Sequence, residues 1–174
     1  MQQDFLLIWK MKNGDEAAMD TFVRKYYTQI LQYCLYHCPD REWAQDLTQE
    51  TFERFFKRLG EYRHIGKEIN YLYTIARNLC IDWYRQQKER NMTHVSEFEN
   101  RSGDTDQMDE KLMLESALQK LPEELHEVVV LHYFQGLSLR EVSAVLQIGV
   151  PLAKYRLRRA KEKLREMLED ENNK

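Results

Sequence analysis

Breakers are rare in this chain, with six glycines and three prolines spread over 174 residues. That is too few to punctuate a fold of short strands joined by turns, so helices are expected throughout. The breakers that do occur fall where a helical period starts or stops. Asn13-Gly14-Asp15 reads as a turn, with Asp15 capping a helix that carries Phe22, Tyr26, Ile30 and Tyr33 at helical spacing. Pro39 cannot continue that helix. Asp40 then caps a second one, running to Leu59 with Gly60 as its stop and Trp43, Leu47, Phe52 and Phe55 as its apolar face. A third helix from about Glu68 to Arg90 lines up Leu72, Ile75, Ala76, Leu79 and Trp83. With the segment Phe5 to Trp9, these helices have enough apolar surface to close a core.

Residues 91–110, NMTHVSEFENRSGDTDQMDE for the most part, are polar, acidic and weakly periodic, and read as a flexible linker. The helical signal returns at Lys111 with Leu112, Leu114 and Leu118, pauses at Leu121-Pro122, and resumes with Leu125, Val128, Val129 and Leu131 up to Gly136. The expected architecture is therefore all-α: a helical domain over 1–90, the linker, and a smaller helical domain over 111–174.

Within the smaller domain, Ser138-Leu139-Arg140-Glu141 has the S-x-x-E form of a capping box, so a short helix begins at Leu139 and uses Val142, Val145 and Leu146 for packing. Gln147-Ile148-Gly149 interrupts it, and Pro151 suits the first turn of the next helix. This is a helix-turn-helix. Its second helix sets Lys154, Arg156, Arg158, Arg159, Lys161, Lys163 and Arg165 against Glu162 alone. A basic helix by itself is as well explained by solvation, but the capped helix and turn before it favour phosphate contact and entry into the major groove. Val150, Lys154, Tyr155, Arg158 and Arg159 are the candidates for DNA contact, while Ala153 and Leu157 are expected in the core. The whole chain gives no such hint, since 26 Lys+Arg stand against 29 Asp+Glu for a formal net charge of -3.

Two helices of the first domain carry contrasting exposed faces. On the second, Asp46, Gln49, Glu50 and Glu53 fall at i, i+3, i+4 and i+7, an acidic stripe open to three readings: a solvated face, a docking surface for a partner, or a metal-assisted hydrolytic site. The last lacks ligands from a second helix. On the third, Arg77, Asn78, Ile81, Arg85 and Lys88 lie opposite the apolar stripe, flanked by Tyr73 and Tyr84. Cations that track a backbone, rings that stack and an amide that reads a base edge suit single-stranded nucleic acid, whereas the bland reading leaves the tyrosines in the core.

No apolar run reaches membrane-spanning length and no secretory signal pattern is visible, so a cytoplasmic protein is expected. Three irregularly spaced cysteines, Cys34, Cys38 and Cys80, fit a reducing compartment. Cys34, His37 and Cys38 form one short cluster without the second half that tetrahedral zinc needs, and no cofactor is inferred.

Asp46-Leu47-Thr48-Gln49-Glu50-Thr51-Phe52, the run Tyr71 to Leu79 leading into Asp82 and Arg85, Leu121-Pro122, and the segment Gly136 to Arg159 together resemble the extracytoplasmic-function (ECF) group of bacterial RNA polymerase sigma factors of the sigma-70 class. Their order and spacing match over nearly the whole chain. The resemblance implies a transcription initiation factor, not itself an enzyme, that binds core RNA polymerase and directs it to specific promoters. It implies that Asp46, Gln49, Glu50 and Glu53 dock on the polymerase. Tyr73, Arg77, Asn78, Asp82 and Arg85 would meet the minus-10 element, and Ser138, Arg140, Val150, Lys154, Tyr155, Arg158 and Arg159 the minus-35 element of promoter DNA. An anti-sigma factor is implied as a further partner.

The family usually has glycine in the helix-turn-helix turn where this chain has Gln147, so a departure in turn geometry is expected there. Twenty linker residues extend to roughly 66–72 Å at most, which reaches across about two duplex turns of ~34 Å. Two weak DNA contacts joined this way gain from effective concentration. The main rival reading is a helix-turn-helix regulator that binds duplex operators without polymerase.

Overall fold

The computed structural model of the protein describes residues 2–38, 40–63, 67–91, 114 and 116–172. It divides into two compact units, residues 1–94 and 95–174, and the described residues contain helices and turns but no strand. Apart from Asn91, the last residue of a helix, the expected linker lies outside the described residues, as do Leu112 and Pro39.

The described residues of the first unit form four helices: α1 (Gln2–Lys12), α2 (Glu16–His37), α3 (Arg41–Lys57) and α4 (Glu68–Asn91). The Asp15 carboxylate accepts from the Ala18 amide at 3.0 Å, and the Asp40 carboxylate accepts from Glu42 and Trp43 at 2.8 and 3.0 Å. Both expected caps are thus in place, each satisfying donors that a helix start leaves open. The residues expected inside α2, Phe22, Tyr26, Ile30 and Tyr33, are all buried. Phe22 stacks on Phe55 of α3 with ring centroids 4.7 Å apart, and complete burial of such a ring contributes roughly 1.5–3 kcal/mol. Cys34, Cys38 and Cys80 are buried free thiols in the same core.

Three expectations for α1 and α3 need correction. Trp43 is 42% exposed rather than core, because the inward face of α3 runs through Ala44, Leu47, Thr48, Thr51, Phe52 and Phe55, and Trp43 sits one residue ahead of that row. The two inward threonines are satisfied within the helix, donating at 2.7 Å to the carbonyls of Ala44 and Leu47. The helix itself ends at Lys57, two residues earlier than Leu59, which is buried in the following turn. In α1 only Ile8 and Met11 enter the core, while Phe5, Leu6 and Trp9 remain exposed. That helix is pinned at both ends, by an ion pair between Asp4 and Lys25 and by the Lys12 ammonium donating to the Tyr62 carbonyl at 2.7 Å.

The second unit contains a helical turn over residues 116–119, then α5 (Glu123–Val129), α6 (Leu139–Leu146) and α7 (Val150–Asn172). Leu118, Leu121, Leu125, Val128, Val129 and Leu131 form its core as the spacing predicts, whereas Leu114 is exposed. Past Val129 the chain does not end its helix but widens into a π-helical turn over Val130–Phe134. Gly136, at φ +69°, reverses the chain after it, and the Leu137 amide returns to the Leu131 carbonyl at 3.0 Å. Periodicity alone cannot announce such a turn, since each π insertion shifts the pattern by a single residue.

Candidate docking and nucleic-acid surfaces

The outward face of α3 brings together all four acidic-stripe residues. Asp46, Gln49 and Glu53 are exposed and Glu50 is half-buried. The stripe is ordered along its length: Gln49 Nε2 donates to Glu53 Oε1 at 3.0 Å, and Arg54 Nε donates to Glu50 Oε1 at 2.8 Å. An exposed i,i+4 pair of this kind is worth only about 0.3–0.5 kcal/mol, so a partner can exchange it for its own contacts at little cost. Asp46 has no ion pair or hydrogen bond among the described residues, which leaves its carboxylate fully available.

On α4 the structure gathers Asn78, Asp82, Tyr84 and Arg85 on exposed surface, with Arg77 and Ile81 half-buried beside them. Tyr73 is not part of this face. It is 1% exposed, with its ring 5.4 Å from that of Tyr33, and burial pushes its hydroxyl pKa upward. The correction has a packing cause. Helix α4 lies against both α2 and α3, so its buried sector is wide enough for a second row, Tyr73, Ala76 and Cys80, beside the row of Leu72, Ile75 and Leu79. Arg77 reaches from this face toward the end of α2. There the His37 ring lies 4.5 Å from Tyr33, and burial, together with the Arg77 charge, holds the imidazole down at a pKa of about 3.

The helix-turn-helix is built as the sequence indicates. Ser138 and Glu141 close a capping box, with the Glu141 amide donating to Ser138 Oγ at 3.3 Å and the Ser138 amide donating to Glu141 Oε2 at 2.9 Å. The Ser138 hydroxyl also donates to that carboxylate at 2.8 Å, so it belongs to the cap before it can belong to any DNA contact. Gln147 holds the turn in the left-handed region at φ 55°, ψ 41°. The amide of Ile148 bonds the Ser143 carbonyl at 3.0 Å and that of Gln147 bonds Ala144 at 3.3 Å, the two hydrogen bonds of a Schellman ending. The expected departure at Gln147 is therefore one of residue type, since Gln147 itself takes the conformation that glycine adopts most easily.

Helix α7 buries Ala153, Leu157 and Ala160 and exposes Lys154, Tyr155, Arg158 and Arg159, with Arg140 exposed on α6 and Val150 half-buried at the start. The Arg158 guanidinium lies 5.7 Å from the centre of the Tyr155 ring. Arg156 has a different task, donating to Glu124 of α5 at 2.7 Å and tying the basic helix to its own domain. Among the described residues no group of His, Cys, Asp and Glu has the arrangement to hold a metal ion.

A capped helix-turn-helix with a basic second helix, in a chain whose other helical unit displays an acidic stripe, defines a DNA-binding transcription factor. Residues 22–90 match the family model for sigma-70 region 2, and residues 111–164 match that for sigma-70 region 4. The RNA polymerase sigma factor YlaC of Bacillus subtilis is 31% identical over 163 residues, covering 89% of this chain and 93% of that protein. The ECF sigma factor SigW of the same organism is 30% identical over 178 residues, covering 94% and 95%. A likeness of fold extends to the sigma factor RpoE of Bartonella quintana, solved with the anti-sigma factor NepR, at TM-score 0.65 and 20% identity over 86% of this chain and 96% of that one. The chain belongs to the sigma-70 class of RNA polymerase sigma factors, within the ECF group, and is a transcription initiation factor.

Proposed function

We propose that this sigma factor works through three surfaces. Asp46, Gln49, Glu50 and Glu53 of α3 dock on core RNA polymerase. Arg77, Asn78, Asp82 and Arg85 of α4, joined by exposed Tyr84 in place of buried Tyr73, hold the minus-10 element in its opened form. Arg140, Val150, Lys154, Tyr155, Arg158 and Arg159 contact the minus-35 element, with Ser138 fixing the start of the first helix. The observation that carries the reading is the exposure of Lys154, Tyr155, Arg158 and Arg159 on one helix behind a capped helix and a Schellman turn. Such a helix presents its first turns to base edges and its later ones to phosphates.

On this reading the chain performs no chemistry of its own; the polymerase makes RNA and this protein supplies recognition. It acts in the cytoplasm, where the polymerase is, consistent with the absence of a membrane-spanning helix among the described residues. An anti-sigma factor is its regulatory partner, as the solved complex of RpoE with NepR indicates for that protein. Run-off transcription with purified core polymerase on a genomic fragment library tests the proposal. New start sites with a shared upstream sequence, present only when the protein is added, are the expected result. A folded protein that binds duplex operators tightly but yields no new starts would overturn it.

A further inference from the structure

The start of α7 is not basic on its outward side. With side chains placed about 100° apart around the helix, Pro151, Leu152 and Tyr155 fall in the sector opposite Ala153, Leu157 and Ala160. The first three are exposed and the last three buried, so an apolar patch leads the helix into solvent. Leu152 is 41% exposed and Tyr155 51%. The cations stand around this patch: Lys154 on one flank, Arg158 and Arg159 one turn beyond Tyr155. Pro151 has no amide hydrogen, so this helix start offers a phosphate one donor fewer than usual. The Tyr155 ring has the Arg158 guanidinium 5.7 Å from its centre, whereas Leu152 presents hydrocarbon alone. A large aliphatic side chain turned to solvent in the first turn of a helix-turn-helix's second helix occupies the place where base edges are met.

We infer that Leu152 is a specificity-determining residue of the minus-35 contact, reading a thymine through its C5-methyl group in the major groove, with Pro151 and Tyr155 beside it excluding water. The inference rests on the proposed entry of α7 into the minus-35 element and adds to it a residue that the polar and cationic contacts do not include. Thymine alone among the four bases presents a hydrocarbon group on the major-groove edge. Adenine and cytosine turn an amino donor there and guanine two acceptors, and a leucine pressed against any of these leaves the group without a partner. Lys154, Arg158 and Arg159 supply attraction to the backbone and to guanine, neither of which depends on that methyl. The charged and apolar parts of one helix therefore divide the work: the cations hold it in the groove, and Leu152 selects the base at one position.

The test uses the full-length protein bound to purified core polymerase, and a duplex carrying the upstream sequence shared by the start sites that run-off transcription maps. Each thymine of that element, on either strand, is replaced singly by uracil, which removes the methyl group and keeps every hydrogen-bonding group. At one position the replacement is expected to weaken binding about three- to fivefold, the worth of roughly one methyl group taken out of water. Leu152→Ala should weaken binding to the thymine duplex and abolish the difference between thymine and uracil at that position, because the methyl then meets no partner. Arg159→Ala should weaken binding to both duplexes alike and leave the difference in place. The uracil series on the unaltered protein needs no variant, so it decides the matter even where Leu152→Ala folds poorly. Uracil without effect at every thymine, an effect that persists in full in folded Leu152→Ala, or an element without thymine would overturn the role of Leu152 and leave the minus-35 assignment standing. Binding indifferent to the whole upstream element would overturn that assignment, and the inference with it.

Discussion

Arg159 Nη1 donates to Glu162 Oε2 at 2.9 Å, across one turn of the helix proposed to enter the major groove. The same carboxylate lies 3.8 Å from Arg158 Nε, so one acidic side chain holds both of the adjacent guanidinium groups. All three side chains are at least 42% exposed, and pairs of that kind are worth a few tenths of a kcal/mol. DNA phosphate, with its concentrated charge, displaces such a partner readily. In the free protein Glu162 would therefore compete for the phosphate contacts proposed for Arg158 and Arg159. Replacing it by Gln is expected to raise duplex affinity several-fold at low salt and to steepen the dependence of log affinity on log salt by up to about 0.9, the increment for one more neutralised phosphate. Fluorescence anisotropy with a labelled duplex over a salt series reads both quantities, and unchanged slope and affinity would exclude the competition.

A second prediction concerns the turn between α6 and α7. A left-handed conformation costs a non-glycine residue roughly 1–2 kcal/mol, part of which glycine returns through its greater freedom in the unfolded chain. Gln147 occupies that conformation at φ 55°. Gln147→Gly is expected to stabilise the second unit by up to about 1 kcal/mol, whereas Gln147→Val, with a branched Cβ, should destabilise it by about 1 kcal/mol or more. Thermal denaturation followed by circular dichroism separates the two, and equal melting temperatures would contradict the strain.

How much of this architecture is legible in the chain depends on the kind of signal each element carries. Helices α2 and α4 announce themselves because a cap or a charged first turn precedes an unbroken apolar period, and the helix-turn-helix because Ser138 and Glu141 can close only one kind of box. Trp43 and Tyr73 are misplaced for a shared reason. Residue type says whether a side chain can be buried, but which sector of a helix is buried depends on where its neighbours lie: α3 turns Ala44, Leu47 and Thr48 inward and leaves Trp43 to one side, while α4, packed on α2 and α3, buries Tyr73 in a second row. The cleft between α2 and α3 lined by Val23, Tyr27, Phe52 and Phe56 is invisible for the same cause, since it exists only once two helices have been set side by side. The π turn at Val130–Phe134 leaves no trace because its five residues are as apolar as a helix would be.

The depressed pKa of His37 makes the first unit acid-sensitive. Unfolded, this histidine takes up a proton near pH 6.5; folded, it resists until about pH 3. Between those values the unfolded chain binds the extra proton, so the neutral imidazole's contribution is complete above pH 6.5 and is lost as pH falls from there toward about 3. From pH 7 to pH 5 the loss amounts to about 2 kcal/mol, at 1.36 kcal/mol for each unit below the unfolded value. His37→Phe preserves a ring beside Tyr33 and is expected to flatten the stability curve over that interval. Urea denaturation of both proteins at pH 7 and pH 5 measures the slopes, and parallel slopes would show that His37 does not set them.

Tyr73 and Tyr84 sit on one helix with opposite exposures, 1% and 57%, and this difference should separate folding from nucleic-acid binding. Tyr73→Ala removes a buried ring and is expected to cost about 3–5 kcal/mol, the range for aromatic truncation in a core. Tyr84→Ala removes a ring that packs on little and should change stability by no more than about 0.5 kcal/mol. If the proposed role of α4 holds, its effect is expected on the single strand instead, because stacking of one base on an exposed aromatic is worth about 1–3 kcal/mol, or roughly five- to 150-fold in affinity. Thermal melting of each variant, paired with binding of the polymerase-bound protein to a single-stranded minus-10 oligonucleotide, resolves the two roles. If Tyr84→Ala leaves oligonucleotide binding untouched, the opened strand runs over Asn78 and Arg85 without using the ring, and recognition on α4 reduces to its cations and its amide.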